Sequence, residues 1–119
     1  MTPIELTKTE FIQRVGNFEE SPKDWKYVGD KPCIVDFHAP WCGYCRRIGP
    51  AYEKIAQEYG DRMEVAKINI DEEAQLAEAE RVEIIPTLIL YKNGKAVDSV
   101  VNPGSKAAID QFIQEALAK

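Results

Sequence analysis

Apolar and polar positions along the chain follow two different periods. Cys33-Ile34-Val35-Asp36-Phe37-His38 is a compact, mostly apolar run bounded by Pro32 and Pro40, the pattern of a buried strand. Beyond it, Ile48, Ala51, Tyr52, Ile55 and Tyr59 recur at steps of three and four and make one apolar helical face. Pro50 inside this face predicts a kink, and Gly60 predicts its end. Met63 to Ile70 reads as a second strand, Asp71 as the cap of a short acidic helix over residues 72–80, and Thr87 to Lys92 as a third strand. Asn93-Gly94 is a tight hairpin signal, from which Lys95 to Val101 returns antiparallel. Ser105 caps a last helix with the apolar face Ile109, Phe112, Ile113, Ala116 and Leu117.

The first 32 residues are less regular. Thr7 and Glu10 have the spacing of a capping box, with Leu6 placed to staple onto Phe11, and Phe11, Ile12 and Val15 form a short stripe. Ser21-Pro22-Lys23-Asp24 reads as a second helix start, anchored by Trp25 and stopped at Gly29. The order is helix, strand, helix, strand, helix, hairpin, helix. It predicts an α/β fold with a central mixed β-sheet flanked by helices on both faces. At 119 residues one domain is expected, with 33–117 as its core and 1–32 as an N-terminal helical extension.

Composition narrows the partners. A content of 45% hydrophobic and 29% charged residues is that of an ordinary soluble globular protein. Fifteen basic against twenty acidic residues give a net charge of −5, which argues against nucleic acid or an anionic membrane surface. No apolar run approaches the roughly 18 residues that span a bilayer. The opening Met1-Thr2-Pro3-Ile4-Glu5 has neither a basic nor an apolar leader region, so a cytoplasmic location is expected. A periplasmic location is the alternative if a leader has been removed.

The chemistry concentrates in three cysteines, Cys33, Cys42 and Cys45. Two of them stand three positions apart at a strand-to-helix junction, which reads as a redox motif or half of a metal site. The positive end of a helix favours a thiolate there. A free thiol is only about 3% ionised at pH 7, and bringing its pKa to about 7 takes roughly 2 kcal/mol. A partly buried helix N-terminus supplies up to about that much, and Arg46 and Arg47 add positive charge. Cys42 is therefore expected to be the nucleophile and Cys45, one turn on, the resolving thiol. Zinc needs four ligands, and the nearby candidates are Cys33 and His38. On a strand these two face opposite sides, so no metal is expected, and Cys33 reads as a small core side chain.

Asp36 shares its face of that strand with His38. A carboxylate in an apolar strand is costly unless paired or protonated, so burial is expected to raise its pKa. It is either a proton acceptor for Cys45, with Lys67 as a neighbour, or a group bonded to nearby backbone. Pro86, in Ile84-Ile85-Pro86-Thr87, opens a strand, and local sequence leaves its isomer undecided.

Val35-Asp36-Phe37-His38-Ala39-Pro40-Trp41-Cys42-Gly43-Tyr44-Cys45 resembles the active-site strand and loop of the thioredoxin family. Val65 to Asp71, Ile85-Pro86-Thr87 and Leu88 to Gly94 resemble that family's later segments in order and spacing, so the likeness covers about residues 33–117. It implies a thioredoxin fold and a disulfide reductase recharged by a thioredoxin reductase. No cofactor is implied beyond the Cys42–Cys45 disulfide, and the precedent is monomeric. It implies an exposed Cys42, a buried Cys45, Asp36 as acid/base beside Lys67, and Pro86 in cis. The substrate-facing residues it implies are Trp41, Gly43, Tyr44, Ile85 and the loop near Asn102.

Three departures stand out. Tyr44 replaces the proline typical of thioredoxins, and protein disulfide isomerases have histidine there. This suggests a less reducing potential and keeps a disulfide oxidase or isomerase in an oxidising compartment open; a non-catalytic thioredoxin-fold binding module is the other alternative, against which the retention of both Cys42 and Cys45 argues. His38 stands where an aromatic residue is usual. Asn102-Pro103 stands near a usual glycine of the substrate groove.

Overall fold

The computed structural model describes residues 3–7, 10, 31–92 and 95–119. The stripe at Phe11, Ile12 and Val15, the Trp25 element and the Asn93-Gly94 turn lie outside the described residues. Five strands form one mixed sheet: β1 (Ile4–Glu5), β2 (Cys33–His38), β3 (Glu64–Asn69), β4 (Thr87–Lys92) and β5 (Lys95–Val101), in the order β1-β3-β2-β4-β5. β1 and β2 run parallel to β3, while β4 runs antiparallel to both β2 and β5. The described helices are α1 (Gly43–Tyr59), α2 (Ala74–Ala79) and α3 (Lys106–Leu117).

Period-two alternation in β2 divides the core. Ile34 faces α1 and α3, where it joins Ile48, Tyr52, Ile55, Leu88, Leu90, Ile109 and Ile113. Cys33, Val35 and Phe37 face the other way and pack with Leu6, Ile68, Leu76 of α2 and Tyr91. Both faces of the sheet are thus covered by helix, which is why β2 and β4 read as continuous apolar runs. Tyr52 joins α1 to the sheet: its buried hydroxyl lies 2.7 Å from the Ala66 carbonyl and 3.2 Å from that of Ile34. Lys106 of α3 bridges Glu58 of α1 at 2.7 Å and Asp110 at 2.9 Å.

Several boundaries fall where the pattern put them. β4 and β5 match, and Ser105 Oγ accepts from the Ala108 N–H at 3.1 Å as the cap of α3. Pro50 lies inside α1, whose C-cap is Gly60. Two expectations need correction. Asp71 does not cap α2: the N-cap is Glu73, with no side-chain bond. Asn69 Oδ1 instead accepts from the N–H groups of Asp71 and Glu72, and this turn delays the helix to Ala74. The second correction is β1, a strand of two residues and so too short to show a period. Its continuation Leu6 donates its N–H to the Lys67 carbonyl at 2.7 Å and buries its side chain in the α2-side core. Of the capping box, the Glu10 N–H donates to Thr7 Oγ1 at 3.2 Å.

Tyr52→Phe removes the bond between α1 and the strand carbonyls. It is expected to lower stability by about 1–2 kcal/mol in urea denaturation, with the slope unchanged.

Candidate active site

α1 begins where β2 ends, and the chain between them holds the two cysteines. Cys42 is the N-cap of α1, in extended conformation (φ −84°, ψ 111°), and its Sγ accepts the Cys45 N–H at 3.1 Å. Cys42 and Cys45 are joined as a disulfide, with their Cα atoms 5.2 Å apart. The pair sits in a small cluster with Ala39, flanked by Ile70 and Ile85. Sulfur therefore occupies the anion position at the positive end of a 17-residue helix.

The exposure implied for Cys42 is not what this oxidised form has. Cys42 is 6% exposed and Cys45 7%, because Cys42 Sγ is tucked against the helix N-terminus and lies 3.9 Å from the Ile85 carbonyl. The rim around the pair is what solvent meets. Trp41 is 65% exposed and Tyr44 54%, with Ile84 and Val101 also open. Trp41 Nε1 donates to Asp71 Oδ2 at 2.8 Å, so Asp71 fixes the indole rather than capping a helix. The Arg47 guanidinium lies 5.1 Å from the Tyr44 ring centroid, and Arg46 Nη1 donates to the Pro40 carbonyl at 2.6 Å. Both guanidinium groups thus stand by the first turn of α1, one on a carbonyl and one over a ring. Gly43 faces open space.

The Ile85–Pro86 peptide is cis and leads directly into β4. The Asn102 N–H donates to the Pro86 carbonyl at 2.8 Å and thereby ties the end of β5 to this ledge. Asn102 holds a left-handed backbone (φ 49°), a conformation asparagine tolerates better than most residues.

Asp36 is buried in mid-β2, opposite Lys67 of β3, and its Oδ1 has no hydrogen-bond partner among the described residues. Burial raises its carboxyl from 3.8 to about 6; nearby His38 and Lys67 pull it down, and Glu5 pushes it up. His38 Nε2 meets Glu5 Oε1 at 2.8 Å. Burial works to raise Glu5 too, but His38, Lys67 and the Asn69 backbone outweigh it and hold its carboxyl below the usual value. Glu5 was not foreseen, because nothing in a two-residue strand signals that its side chain reaches His38. Cys33 is a buried thiol outside the disulfide, on the opposite face of β2. Among the described residues, no cluster of three or more His, Cys, Asp or Glu is placed to hold a metal ion. Nor does any described helix have the length and apolarity to cross a membrane.

A disulfide capping the first helix after the central strand, with a buried carboxyl in that strand, defines a dithiol–disulfide redox domain. Comparison with known proteins agrees. The thioredoxin family model matches residues 4–115. Over 88 residues the chain is 42% identical to thioredoxin 1 of a Nostoc species, covering 74% of this chain and 82% of that protein. It is 36% identical to thioredoxin of Geodia cydonium, over 88% of this chain and 95% of that one. It is 34% identical to thioredoxin of Porphyra purpurea, over 97% of each. The chain belongs to the thioredoxin family, and it is a thiol–disulfide oxidoreductase of the disulfide-reductase type.

Because folding raises the Asp36 carboxyl from 3.8 to about 6, the folded chain binds that proton more tightly than the unfolded one. Its burden on stability is absent below pH 4, grows as pH rises through 6, and persists above. Asp36→Asn is expected to stabilise the chain at pH 8 by about 1–3 kcal/mol and to flatten the dependence between pH 4 and 7 in denaturant titrations.

Proposed function

We propose that the chain donates electrons to protein disulfides, with Cys42 as nucleophile and Cys45 as resolving thiol. The observation that carries this reading is Cys42 Sγ, seated at the N-terminus of α1 and accepting the Cys45 N–H at 3.1 Å. In the reduced protein the same dipole and N–H favour the Cys42 thiolate. That thiolate attacks one sulfur of a substrate disulfide and forms a Cys42–substrate mixed disulfide, and the first substrate thiolate leaves. The Cys45 thiolate then attacks Cys42 Sγ, forms the Cys42–Cys45 disulfide and releases the second substrate thiolate.

Asp36 takes the Cys45 proton in the second step. A carboxyl near 6 suits a base acting close to neutral pH. It lies three positions before Ala39, which packs with both cysteines. Lys67 across the strand pair favours the ionised form. Trp41, Gly43, Tyr44, Ile85 and Asn102 make the substrate rim, with Pro86 holding the Ile85 backbone beside Cys42 Sγ. The disulfide is itself the redox group, so no further cofactor is needed. A thioredoxin reductase recharges it, and the protein works as a cytoplasmic monomer.

The exposed Tyr44 under Arg47 favours a second reading on one point, the potential. An oxidase or isomerase would sit at a more oxidising value. Equilibration of the Cys42/Cys45 pair with glutathione is expected to give a potential above about −270 mV, the thioredoxin level. A value at or below that level would refute the tuning assigned to Tyr44. In an insulin-reduction assay, Cys42→Ser is expected to abolish turnover, and Cys45→Ser to accumulate a substrate-linked mixed disulfide on Cys42. Turnover by Cys42→Ser at the parent rate would remove Cys42 from the mechanism.

A further inference from the structure

The rim beside Cys42 carries two held cations in a chain that is acidic as a whole. Arg46 Nη1 reaches back six residues to the Pro40 carbonyl at 2.6 Å, which anchors it to the loop before Cys42. Arg47 lies over the Tyr44 ring, 5.1 Å from its centroid and within cation–π range. A guanidinium held by its face keeps its N–H edges for a planar anion, and a carboxylate fits them two at a time. The ring beneath is half-exposed and belongs to the Gly43-Tyr44 step between the two cysteines. Among the described residues no carboxylate pairs with Arg47, whose guanidinium meets the Tyr44 ring instead. The rim carboxylate of Asp71 is committed to Trp41 Nε1 at 2.8 Å.

The same pairing recurs past the other end of α1, where it serves the fold. Arg62 lies 4.6 Å from the Tyr59 centroid, but that ring is buried and its hydroxyl reaches Asp110. Arg62 also donates to the Glu58 carbonyl at 3.1 Å. Exposure and nearness to the reactive sulfur set the Tyr44–Arg47 pair apart.

We propose that Arg47, stacked on Tyr44, is a specificity determinant that favours substrate disulfides flanked by aspartate or glutamate. The inference rests on the reading of Cys42 as nucleophile and adds which substrates reach it. A carboxylate next to the substrate cysteine pairs with the guanidinium edge, and Tyr44 packs against the adjoining chain. The exchange itself is unaltered: the Cys42 thiolate bonds to the substrate sulfur, the substrate S–S bond breaks, and the departing sulfur keeps the electron pair. This preference opposes the long-range field, because a net charge of −5 draws basic peptides toward the protein. Local recognition and overall charge therefore predict opposite orders of substrates.

The test uses three peptides of one cysteine each, flanked on both sides by aspartate, serine or lysine and linked through sulfur to thiopyridine. Attack of Cys42 on the peptide sulfur releases thiopyridone, followed by stopped flow at about 0.15 M salt, where exposed charges more than about 8 Å apart are largely screened. Each rate is divided by that of mercaptoethanol on the same peptide, which removes the effect of flanking charge on the disulfide itself. The aspartate peptide is expected to react fastest, about threefold or more faster than the serine peptide, within the range of an exposed ion pair. Arg47→Gln is expected to bring that ratio to about one, and the ratio cancels any change in Cys42 reactivity common to both peptides. Arg47→Lys keeps the charge, loses the planar fork and is expected to lose most of the preference. Arg62→Gln removes the same charge far from the site and is expected to keep the parent ratio.

A parent protein that reacts fastest with the lysine peptide, or equally with aspartate and serine, would overturn the assignment. So would the parent ratio in Arg47→Gln or Arg47→Lys, or its loss in Arg62→Gln. Cys42→Ser distinguishes failure of the specificity from failure of the mechanism. If it still releases thiopyridone at the parent rate, the nucleophile reading fails and the specificity with it. If release is lost in Cys42→Ser while Arg47→Gln keeps the parent ratio, the specificity alone fails.

Discussion

The Cys45 N–H reaches Cys42 Sγ at 3.1 Å, and that contact fixes a sulfur at the positive end of α1. Its geometry holds only if the helix starts at Gly43 and does not slide against the sheet. Much of the packing serves that end. Ile48, Tyr52, Ile55 and Tyr59 seat the inner face of α1 on the core, and the Tyr52 hydroxyl bonds to carbonyls of two neighbouring strands. From the other side, the Ile85 carbonyl stands beside the same sulfur, and the Asn102–Pro86 bond holds that ledge in place. A shift of one residue in the start of α1 would carry Cys42 off the dipole axis and away from the ledge together.

Against this rigid frame stands one destabilising element. Asp36 is buried in the central strand with one oxygen unpaired among the described residues, and burial raises its carboxyl to about 6. A hydrophobic residue would serve the fold better at that position. The surrounding charges moderate the cost without abolishing it: Lys67 and His38 favour the carboxylate, while Glu5, itself bonded to His38, opposes it. Stability given up inside an otherwise well-packed sheet is a physical mark of a functional group.

The strands were legible because their burial on both sides leaves continuous apolar runs. β2 and β4 therefore stood out from Pro32 to Lys92, and the facing of Cys33 against Asp36 followed from period two alone. The amphipathic faces of α1 and α3 were equally plain. β1 was hidden, since two residues carry no period and are placed by pairing with distant Ala66 and Lys67. Asp71 looked like a cap by local rules, but Trp41 claimed its carboxylate and Asn69 took over the turn. At the site, the cysteine pair was visible in the motif. The buried position of Cys42 was not, because it depends on the Ile85 ledge more than forty residues away. The Glu5–His38 bond was invisible for the same reason: it joins residues distant in sequence.

The account turns on whether sulfur at the N-cap of α1 becomes a stabilised thiolate once the disulfide is reduced. The rate of Cys42 alkylation against pH, measured on reduced Cys45→Ser protein so that Cys42 is the one thiol left at the site, reads that ionisation directly. A midpoint near pH 7 is the expected result. A midpoint at or above about 8.5, the value of a free thiol, would contradict the helix-terminus origin of the reactivity.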